Sequence, residues 1–243
     1  MKRYGLIGFP LTHSLSQQYF ANKFQEEGIE DCIYERFSIA SIAELHDILK
    51  THSDLCGFNI TIPYKKEVLA FLTERSKAVE EVGACNCVKM DSGKLIGYNT
   101  DVIGFENSLL PYLKPTHNRA LVLGTGGAAL AIVYVLQKLG IEFKYVSRNA
   151  SSDQFAYDQL SASIMAAHTL IINTTPLGMF PSIEACPDIP YALLTPAHHL
   201  FDLTYNPAES TFLAKGKAMG ATIQNGQQMF VEQAEQSWRI WNS

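Results

Sequence analysis

The sequence predicts an α/β fold with largely parallel sheets, divided into two domains. In the first hundred residues, short apolar runs alternate with amphipathic stretches, and a second alternating series follows the polar break at residues 115–118. Such alternation is typical of strands that are connected by helices. A third observation is the glycine turn Gly124-Thr125-Gly126-Gly127, which links an apolar run to a helical pattern. We place the domain boundary near Asp101.

The elements of the first domain can be assigned in chain order. We predict strands over residues 4–7, 32–37 and 57–62, helices over about 15–27 and 42–50, and a hairpin of residues 88–90 and 94–97 around Asp91-Ser92-Gly93. Pro63 follows the third strand and suits the first turn of a helix. Lys65 is therefore expected in the first turn of that helix.

The second domain is entered through a helix over about residues 101–113. We predict strands over 119–123, 143–147, 169–173 and 199–203, and helices over 127–139, 208–219 and 227–241. The last helix is long and ends with Trp238 and Trp241, so it could pack on either domain.

Charge and hydropathy argue against two classes of partner. The chain of 243 residues has a net charge of -5, whereas general nucleic-acid binding depends on basic patches. No run of about 18 apolar residues occurs, and the apolar run after Lys2-Arg3 is too short for a signal peptide. We expect a cytoplasmic protein that binds small molecules, without nucleic-acid or membrane partners. The oligomeric state stays open, with a homodimer as one option.

The cysteines and histidines do not indicate a metal or disulfide site. The five cysteines are odd in number and contain no C-x-x-C pair. Cys85-Asn86-Cys87 could chelate a metal, but buried, reduced thiols are the better interpretation. The seven histidines are scattered, and His198-His199 lacks partners at metal-ligand spacing.

The glycine turn favours a dinucleotide site. Residues 120–123 are continuously apolar, as a strand buried on both faces should be, and Gly124-x-Gly126-x-x-Ala129 follows at once. Glycines let the backbone approach a pyrophosphate, while a helix N-terminus supplies free N–H groups and a positive dipole end. The alternative is a tight turn whose small residues serve packing alone.

The next strand favours NADP over NAD. An NAD site usually carries an acidic residue about 20 positions further on. Here Glu142 lies at the beginning of the strand, and Ser147-Arg148-Asn149 lies at its end. The Arg148 guanidinium can pair with a 2′-phosphate, although a solvated arginine is the alternative.

Polar residues also follow the strands of the first domain. Ser14 and Ser16 come just after the first strand, where hydroxyls can bind a small anion or cap a helix. Asn59 and Thr61 are two residues apart on a strand and therefore share a face, with Ile62 expected on the apolar face.

Lys65 is the candidate for proton transfer. In the first turn of a helix, the positive dipole end disfavours an ammonium and would favour the neutral amine that general base catalysis needs. An ordinary solvated lysine is the alternative. Asn86 and Asp101 add polar groups at element ends, and Asp101 could equally be a helix N-cap.

Taken in order, these residues resemble one family, the shikimate dehydrogenases. The matching motifs extend along nearly the whole chain. They are Gly8-Phe9-Pro10 with His13-Ser14-Leu15-Ser16, residues 59–65 and 83–86, Asn99-Thr100-Asp101, the glycine turn, residues 173–179, 202–207 and 226–229, and Gln233-Ala234. Each motif alone is common, but the ordered set is specific.

The resemblance implies a fold and a reaction. The fold is an N-terminal α/β substrate-binding domain over residues 1–100, with the last helix, 226–243, packed back on it. The second domain of the implied fold is a Rossmann-type NADP-binding domain over residues 101–225, with a cleft between the two domains. The reaction is the reversible, NADPH-dependent reduction of 3-dehydroshikimate to shikimate in aromatic amino-acid biosynthesis.

The resemblance also implies residue roles. Lys65 and Asp101 match the catalytic pair of the family. The substrate-binding positions are matched by Ser14, Ser16 and Tyr205 for the carboxylate and by Asn59, Thr61, Asn86 and Gln233 for hydroxyls. The cofactor-binding positions are matched by Gly124, Thr125, Gly126, Gly127, Ala128, Ser147, Arg148, Asn149, Thr174, Leu203 and Gly226.

Three residues depart from the family pattern. Gln17 stands where proline is usual, Cys87 replaces the usual threonine after Asn86, and Asn149 replaces the threonine that often follows the arginine. The last change leaves a smaller set of groups for clamping a 2′-phosphate. The chain is also short for the family.

Two other functions remain open at this stage. One is a broader quinate/shikimate dehydrogenase that uses NAD. The other is a non-catalytic sensor that binds a metabolite and a nucleotide. The presence of both Lys65 and Asp101 argues against the sensor, because a sensor need not keep a proton-transfer pair.

Overall fold

The computed structural model describes residues 1–11 and 14–243, which divide into two compact units. The first unit comprises Met1–Thr100 together with Ala234–Ser243, and the second comprises Asp101–Gln233. His13, which belongs to one of the predicted motifs, lies outside the described residues. Both units combine helices with a sheet, which confirms the predicted α/β class.

The described residues of the first unit form a mixed sheet. Its strands are β1 (Lys2–Gly8), β2 (Cys32–Ser38), β3 (Leu55–Ile60), β4 (Glu74–Arg75), β5 (Cys87–Asp91) and β6 (Lys94–Tyr98), and its helices include α1 (Ser16–Glu26), α2 (Leu45–Thr51) and α3 (Lys77–Val82). The strand order is β2-β1-β3-β5-β6-β4. The strands β2, β1 and β3 are parallel, whereas β5 is antiparallel to both β3 and β6. The predicted hairpin is thereby confirmed.

Apolar residues cover both faces of this sheet. Leu6 belongs to a cluster with Phe20 and Trp241, while its neighbour Ile7 belongs to a cluster with Phe58. Because successive residues of a strand point to opposite faces, the two clusters lie on opposite sides of the sheet. The end of the last helix therefore packs on the same face as α1.

The second unit contains a parallel sheet. Its strands are β7 (Arg119–Leu123), β8 (Glu142–Val146), β9 (Leu170–Asn173), β10 (His199–Asp202) and β11 (Thr222–Gln224), and the helices that complete the chain are α4 (Thr100–Leu109), α5 (Gly127–Lys138), α6 (Ala162–Ala167), α7 (Thr211–Ala218) and α8 (Gln227–Trp241). The strand order is β11-β10-β9-β7-β8. The winding direction reverses between β7 and β9, which makes this the place where doubly wound sheets bind ligands.

The helix predicted over residues 101–113 is shorter than expected. α4 ends at Leu109, and a 3-10 helix over Leu110–Tyr112 follows. Pro111 lies in this segment and cannot donate the hydrogen bond that an α-helix would require of it. α7 likewise begins at Thr211 because the Ser210 side chain caps it.

The predicted placement of Lys65 in the first turn of a helix is wrong. β3 ends at Ile60, and residues 61–66 form a turn that leads into a 3-10 helix over Glu67–Phe71. The N–H of Tyr64 donates to the Thr61 carbonyl, a bond between residues three apart that does not continue as an α-helix. The helix-dipole argument therefore does not apply to Lys65. Ile62 is also not on the apolar face, since it is 69% exposed.

No helix among the described residues has the length and apolar character needed to cross a lipid bilayer.

Candidate active site

Ser14 and Ser16 lie between β1 and α1, and both are half-buried. The Ser14 Oγ accepts a hydrogen bond from the Ser16 backbone N–H at 3.3 Å. Leu15 occupies the N-cap of α1, and no side chain among the described residues caps this helix. A capping-type bond to the start of α1 therefore accounts for Ser14 but not for Ser16, and anion binding by the two serines stays a prediction.

Asn59 lies on β3 and is almost completely buried. Its Oδ1 accepts a hydrogen bond from the Tyr34 hydroxyl at 2.9 Å, and its Nδ2 donates to the Asn86 carbonyl at 3.1 Å and to the Ser237 Oγ at 2.9 Å. Complete burial raises the pKa of Tyr34 well above its usual value, although a hydrogen bond with Ser16 opposes this shift. Tyr34 is therefore a protonated donor that links Ser16 to Asn59.

Asn86 precedes β5 and is held by the first residue of α4. Its Nδ2 donates to the Thr100 Oγ1 at 3.0 Å, and its Oδ1 accepts from the Thr100 N–H at 2.6 Å. The Asn86 carbonyl accepts from the Ile60 N–H at 2.9 Å, and the Asn86 N–H donates to the Tyr98 carbonyl at 3.1 Å. Side chain and backbone are thus both fixed.

These contacts form one buried polar network. Its members are Ser16, Tyr34, Asn59, Asn86, Thr100 and Ser237. Ser16, Asn59 and Asn86 match substrate contacts of the resembled family, whereas the sequence patterns indicate no role for Tyr34, Thr100 or Ser237. Ser237 lies four residues after Gln233 on α8, so the two share a helix face, and this spacing could have indicated it.

Thr61 lies immediately after β3, against the end of β1. Its backbone N–H donates to the Ile7 carbonyl at 2.9 Å. Its methyl group fills the space beside Gly8, where a side chain would have no room. Because β1 and β3 are parallel neighbours, Thr61 lies at the same edge of the sheet from which the chain continues towards Ser14.

The backbone of Lys65 is fixed within its turn. Its carbonyl accepts a hydrogen bond from the Cys85 N–H at 2.8 Å. The preceding residue, Tyr64, is buried, and its hydroxyl donates to the Ile39 carbonyl at 2.7 Å. Lys65 itself is half-buried, whereas its neighbour Lys66 is exposed. The two adjacent lysines of this turn therefore differ in their exposure to solvent.

Asp101, Gln233 and Tyr205 belong to the second unit. Asp101 is buried in the first turn of α4. A Cβ at Gly104, one turn later, would lie 2.7 Å from the Met229 carbonyl of α8 and 3.1 Å from the Gln233 Cβ, so α4 and α8 approach closely. Tyr205 packs on α8 through Phe230, with 4.9 Å between the ring centroids. α8 therefore holds all three candidates in one region.

The glycine turn joins β7 to α5. Gly124 has a φ of +102°, and a Cβ there would lie 3.0 Å from the Thr174 Oγ1, so both the backbone conformation and the packing require glycine. Gly126 is the N-cap of α5, while Gly127 and Ala128 begin the helix. No side chain among the described residues caps α5.

The start of α5 is open to a ligand. Thr125 and Gly126 are exposed, and a Cβ on Gly126 would meet no described atom within 4 Å. The first turn of α5 contains no acidic residue within the described chain. A helix N-terminus of this kind fits a pyrophosphate, because its N–H groups and its dipole both favour an anion.

Thr174, Leu203 and Gly226 follow the carboxyl ends of β9, β10 and β11. Thr174 donates from its N–H and its Oγ1 to the Leu123 carbonyl, at 3.0 Å and 2.7 Å. The Leu203 N–H donates to the Asn173 carbonyl at 3.0 Å, and the Leu203 carbonyl leaves no room for a side chain at Gly226. The structure therefore brings these residues to the same sheet edge as the glycine turn.

Asp202 stabilises the carboxyl edge of this sheet through hydrogen bonds. It is fully buried and accepts hydrogen bonds from the Ser210 hydroxyl at 2.5 Å, the Thr204 N–H at 3.0 Å and the Asn173 Nδ2 at 3.0 Å. Burial raises the pKa of Asp202, although these donors oppose the shift. The carboxyl group ties β9 and β10 together beside the candidate cofactor residues.

Ser147, Arg148 and Asn149 follow β8, at the carboxyl edge. Arg148 and Asn149 are exposed, and the Asn149 N–H donates to the Ser147 Oγ at 3.3 Å. Glu142 lies at the opposite end of β8, where it is paired with Arg119 at 2.9 Å. The arginine thus lies near the sheet edge of the glycine turn and the glutamate does not, an arrangement that fits a 2′-phosphate.

Within residues 1–11 and 14–243, no group of three or more histidine, cysteine, aspartate or glutamate side chains is arranged to hold a metal ion. Cys85 and Cys87 are both buried, and burial raises the pKa of Cys87 well above its usual value. Cys87 is therefore a protonated thiol that packs in the interior.

Comparisons with known proteins match both the sequence and the fold. Residues 6–88 match the model of the shikimate dehydrogenase substrate binding domain. A shikimate dehydrogenase (NADP(+)) from Caldicellulosiruptor saccharolyticus is 34% identical, and the aligned region covers 99% of this chain and 92% of that protein.

Solved structures match the fold of this chain over nearly its full length. Shikimate 5-dehydrogenase from Thermus thermophilus, in complex with NADP(H) and shikimate, has a TM-score of 0.87 at 30% identity, and the match covers 99% of this chain and 93% of that one. A 5-ketofructose reductase of a Gluconobacter species has a TM-score of 0.83 at 28% identity, covering 99% and 92%. The fold is therefore shared with a reductase named for a different substrate. The curated relative supports the predicted resemblance to the shikimate dehydrogenases. The chain belongs to the shikimate dehydrogenase family.

Proposed function

We propose that the protein is an NADP-dependent shikimate dehydrogenase, which reversibly reduces 3-dehydroshikimate to shikimate in aromatic amino-acid biosynthesis. The buried polar network carries the proposal, because it joins Ser16, Asn59 and Asn86 within the region that matches a substrate binding domain. The names of the curated relative and of the Thermus thermophilus complex support the same reaction.

The two parts of the chain have different tasks in this proposal. Residues 1–100, with the last helix over 226–243, form the substrate domain, and residues 101–225 form the NADP domain. The substrate carboxylate is bound by Ser14, Ser16 and Tyr205, and the hydroxyls are bound by Asn59, Thr61, Asn86 and Gln233. Asn59 uses both amide hydrogens inside the protein, so only its Oδ1 is left to accept from a substrate hydroxyl.

Lys65 is the proposed proton donor and acceptor. Bound NADPH supplies the hydride that reduces the ketone. The Lys65 Nζ gives a proton to the developing alkoxide oxygen and takes it back in the reverse direction. In this proposal, Asp101 orients the Lys65 side chain for the proton transfer.

The cofactor is held by the carboxyl edge of the second sheet. The N–H groups at the start of α5 bind the pyrophosphate, and Arg148 pairs with the 2′-phosphate. The remaining proposed contacts are Gly124, Thr125, Gly126, Gly127, Ala128, Ser147, Asn149, Thr174, Leu203 and Gly226. Small molecules are the proposed partners, without nucleic acid or membrane. The proposed location is the cytoplasm, where the protein acts alone or as a homodimer.

The proposed reaction is tested with the purified chain, shikimate and NADP, by following the absorbance of the reduced cofactor. We expect shikimate-dependent formation of NADPH, and NADPH consumption when 3-dehydroshikimate is added. Binding of both ligands without turnover would instead indicate a sensor. Faster reduction of 5-ketofructose than of 3-dehydroshikimate would assign the chain to a different substrate.

A further inference from the structure

Ser237 occupies the centre of the buried polar network. Its side chain is 0% exposed, although burial of a serine hydroxyl gives no hydrophobic stabilisation. The Ser237 Oγ lies 2.9 Å from the Asn59 Nδ2 and 3.3 Å from the Thr100 Oγ1. One hydroxyl on α8 therefore contacts β3 and the start of α4.

The hydrogen bonds of this network connect the two asparagines. Asn59 donates to the Ser237 Oγ, and the Ser237 hydroxyl can in turn donate to the Thr100 Oγ1. The Thr100 hydroxyl can then donate to the Asn86 Oδ1, 3.3 Å away. Ser237 thereby connects Asn59, through Thr100, to Asn86.

Cys87 is a further neighbour of Ser237 in this network. The thiol of Cys87 lies within hydrogen-bond reach of Ser237. The resembled family usually has threonine at this position, and a threonine hydroxyl would compete for the same partners. Because a thiol is a weak donor and acceptor, cysteine competes less with Asn59 and Thr100 for the Ser237 hydroxyl than a threonine would.

We propose that Ser237 is a positioning residue, which orients Asn59 and Asn86 for recognition of the substrate hydroxyls without touching the substrate. The proposal rests on the proposed function, because it assumes that these two asparagines bind shikimate. Without the hydroxyl, the Asn59 Nδ2 loses an acceptor and the Thr100 Oγ1 loses a donor in a buried site. Both asparagines are then held less tightly in the orientation that faces the substrate, although Tyr34 still binds Asn59 and the Thr100 N–H still binds Asn86.

The test compares Ser237→Ala with wild type in steady-state kinetics. We expect the KM for shikimate to rise about five- to twentyfold, the effect of losing one to two buried hydrogen bonds. The KM for NADP should stay within about twofold, because the cofactor is bound elsewhere. A purely structural role would lower the amount of active protein and hence kcat, without changing the KM for shikimate.

Two further variants complete the experiment. Ser108→Ala is the matched control, because Ser108 is also a buried helical serine but donates to the Phe105 carbonyl of its own helix. Its KM for shikimate should be unchanged. Ser237→Thr keeps a hydroxyl and should restore the KM to within about threefold, even if its Tm falls.

The outcome that overturns the proposal is an unchanged KM for shikimate in folded, active Ser237→Ala. A rise in KM equal to that of Ser108→Ala would overturn it as well. Failure of the proposed function is distinguished at the start, because wild type would then show no shikimate-dependent reduction of NADP.

Discussion

Lys65 is distinguished from its neighbour Lys66 by a rigid turn. The Lys65 carbonyl is bonded to the Cys85 N–H, and Lys65 is half-buried while Lys66 is exposed. We predict that Lys65→Ala lowers kcat by about two to four orders of magnitude, the usual contribution of general acid–base catalysis. Lys66→Ala is the control and should keep wild-type kcat. Near-normal turnover of Lys65→Ala would remove Lys65 from the mechanism.

Arg148 is predicted to set the cofactor preference. It is exposed at the carboxyl end of β8, whereas Glu142 is engaged with Arg119 at the other end. Arg148→Gln removes a charge-assisted contact and should raise the KM for NADP about tenfold to a hundredfold. The KM for NAD, which has no 2′-phosphate, should stay nearly constant.

The control for Arg148 is Arg119→Gln, which removes an exposed arginine at the amino edge of the same sheet. It should leave both cofactor constants unchanged. If Arg148→Gln weakens NADP and NAD equally, the guanidinium does not contact the 2′-phosphate, and another group selects the cofactor.

The N-terminus of α5 allows stability and binding to be separated. Gly126 is its N-cap, has a φ of -73° and has space for a side chain. In Gly126→Asp, a carboxylate can accept from the helix N–H groups, so the Tm should not fall. The same charge occupies the proposed pyrophosphate site, and NADP binding, measured by calorimetry, should weaken at least about a hundredfold.

Gly126→Asn is the matched control, since it caps the helix without adding a charge. It should bind NADP better than Gly126→Asp does. Equal affinity of wild type and Gly126→Asp would show that the pyrophosphate is not bound at the start of α5.

Most strands and the longer helices could be predicted from the sequence, whereas two short helices could not. The periodic pattern located β7 and α5 closely, because a fully apolar strand and a glycine turn are strong local signals. α3 and α6 have six residues each, too few to display a helical period. The sequence around Lys65 predicts a helix where the structure has a turn, because proline suits both structures.

The candidate site was only partly predictable for a different reason. Ser16, Asn59 and Asn86 were identified from their motifs, but the polar network that joins them was not. Asn59 and Ser237 are separated by 178 positions. No local pattern records such a pair, because it forms only when α8 packs on the first sheet.

His199 is predicted to make the stability of the whole protein depend on pH. Its ring is buried and stacked against Tyr112 and His117, and its Nε2 is bonded to the Gln224 Oε1 at 3.2 Å. Its Nδ1 has no hydrogen-bond partner among the described residues. Burial lowers the pKa of His199 to about 4.

The direction of this pH dependence follows from the pKa of His199 in the folded and in the unfolded chain. Between the folded pKa of His199 of about 4 and the unfolded value of about 6.5, the unfolded chain binds more protons. The contribution of neutral His199 to the free energy of unfolding is therefore fully present above the unfolded pKa of about 6.5. It is lost as the pH falls towards about 4, by roughly 3 kcal/mol in the limit. In His199→Phe, which keeps a stacking ring, the decrease in Tm between about pH 7 and pH 5 should be smaller. His46→Gln, at an exposed position, should match wild type, and an unchanged pH dependence in His199→Phe would refute the assignment.

The central claim is that this chain oxidises shikimate with NADP. The deciding measurement is kcat/KM for shikimate and for quinate, each with NADP and with NAD. The account predicts that shikimate with NADP has the highest value, because the first unit holds the predicted shikimate contacts and the second carries Arg148. A higher value for quinate with NAD, or no reduction of either cofactor while both ligands bind, would contradict it.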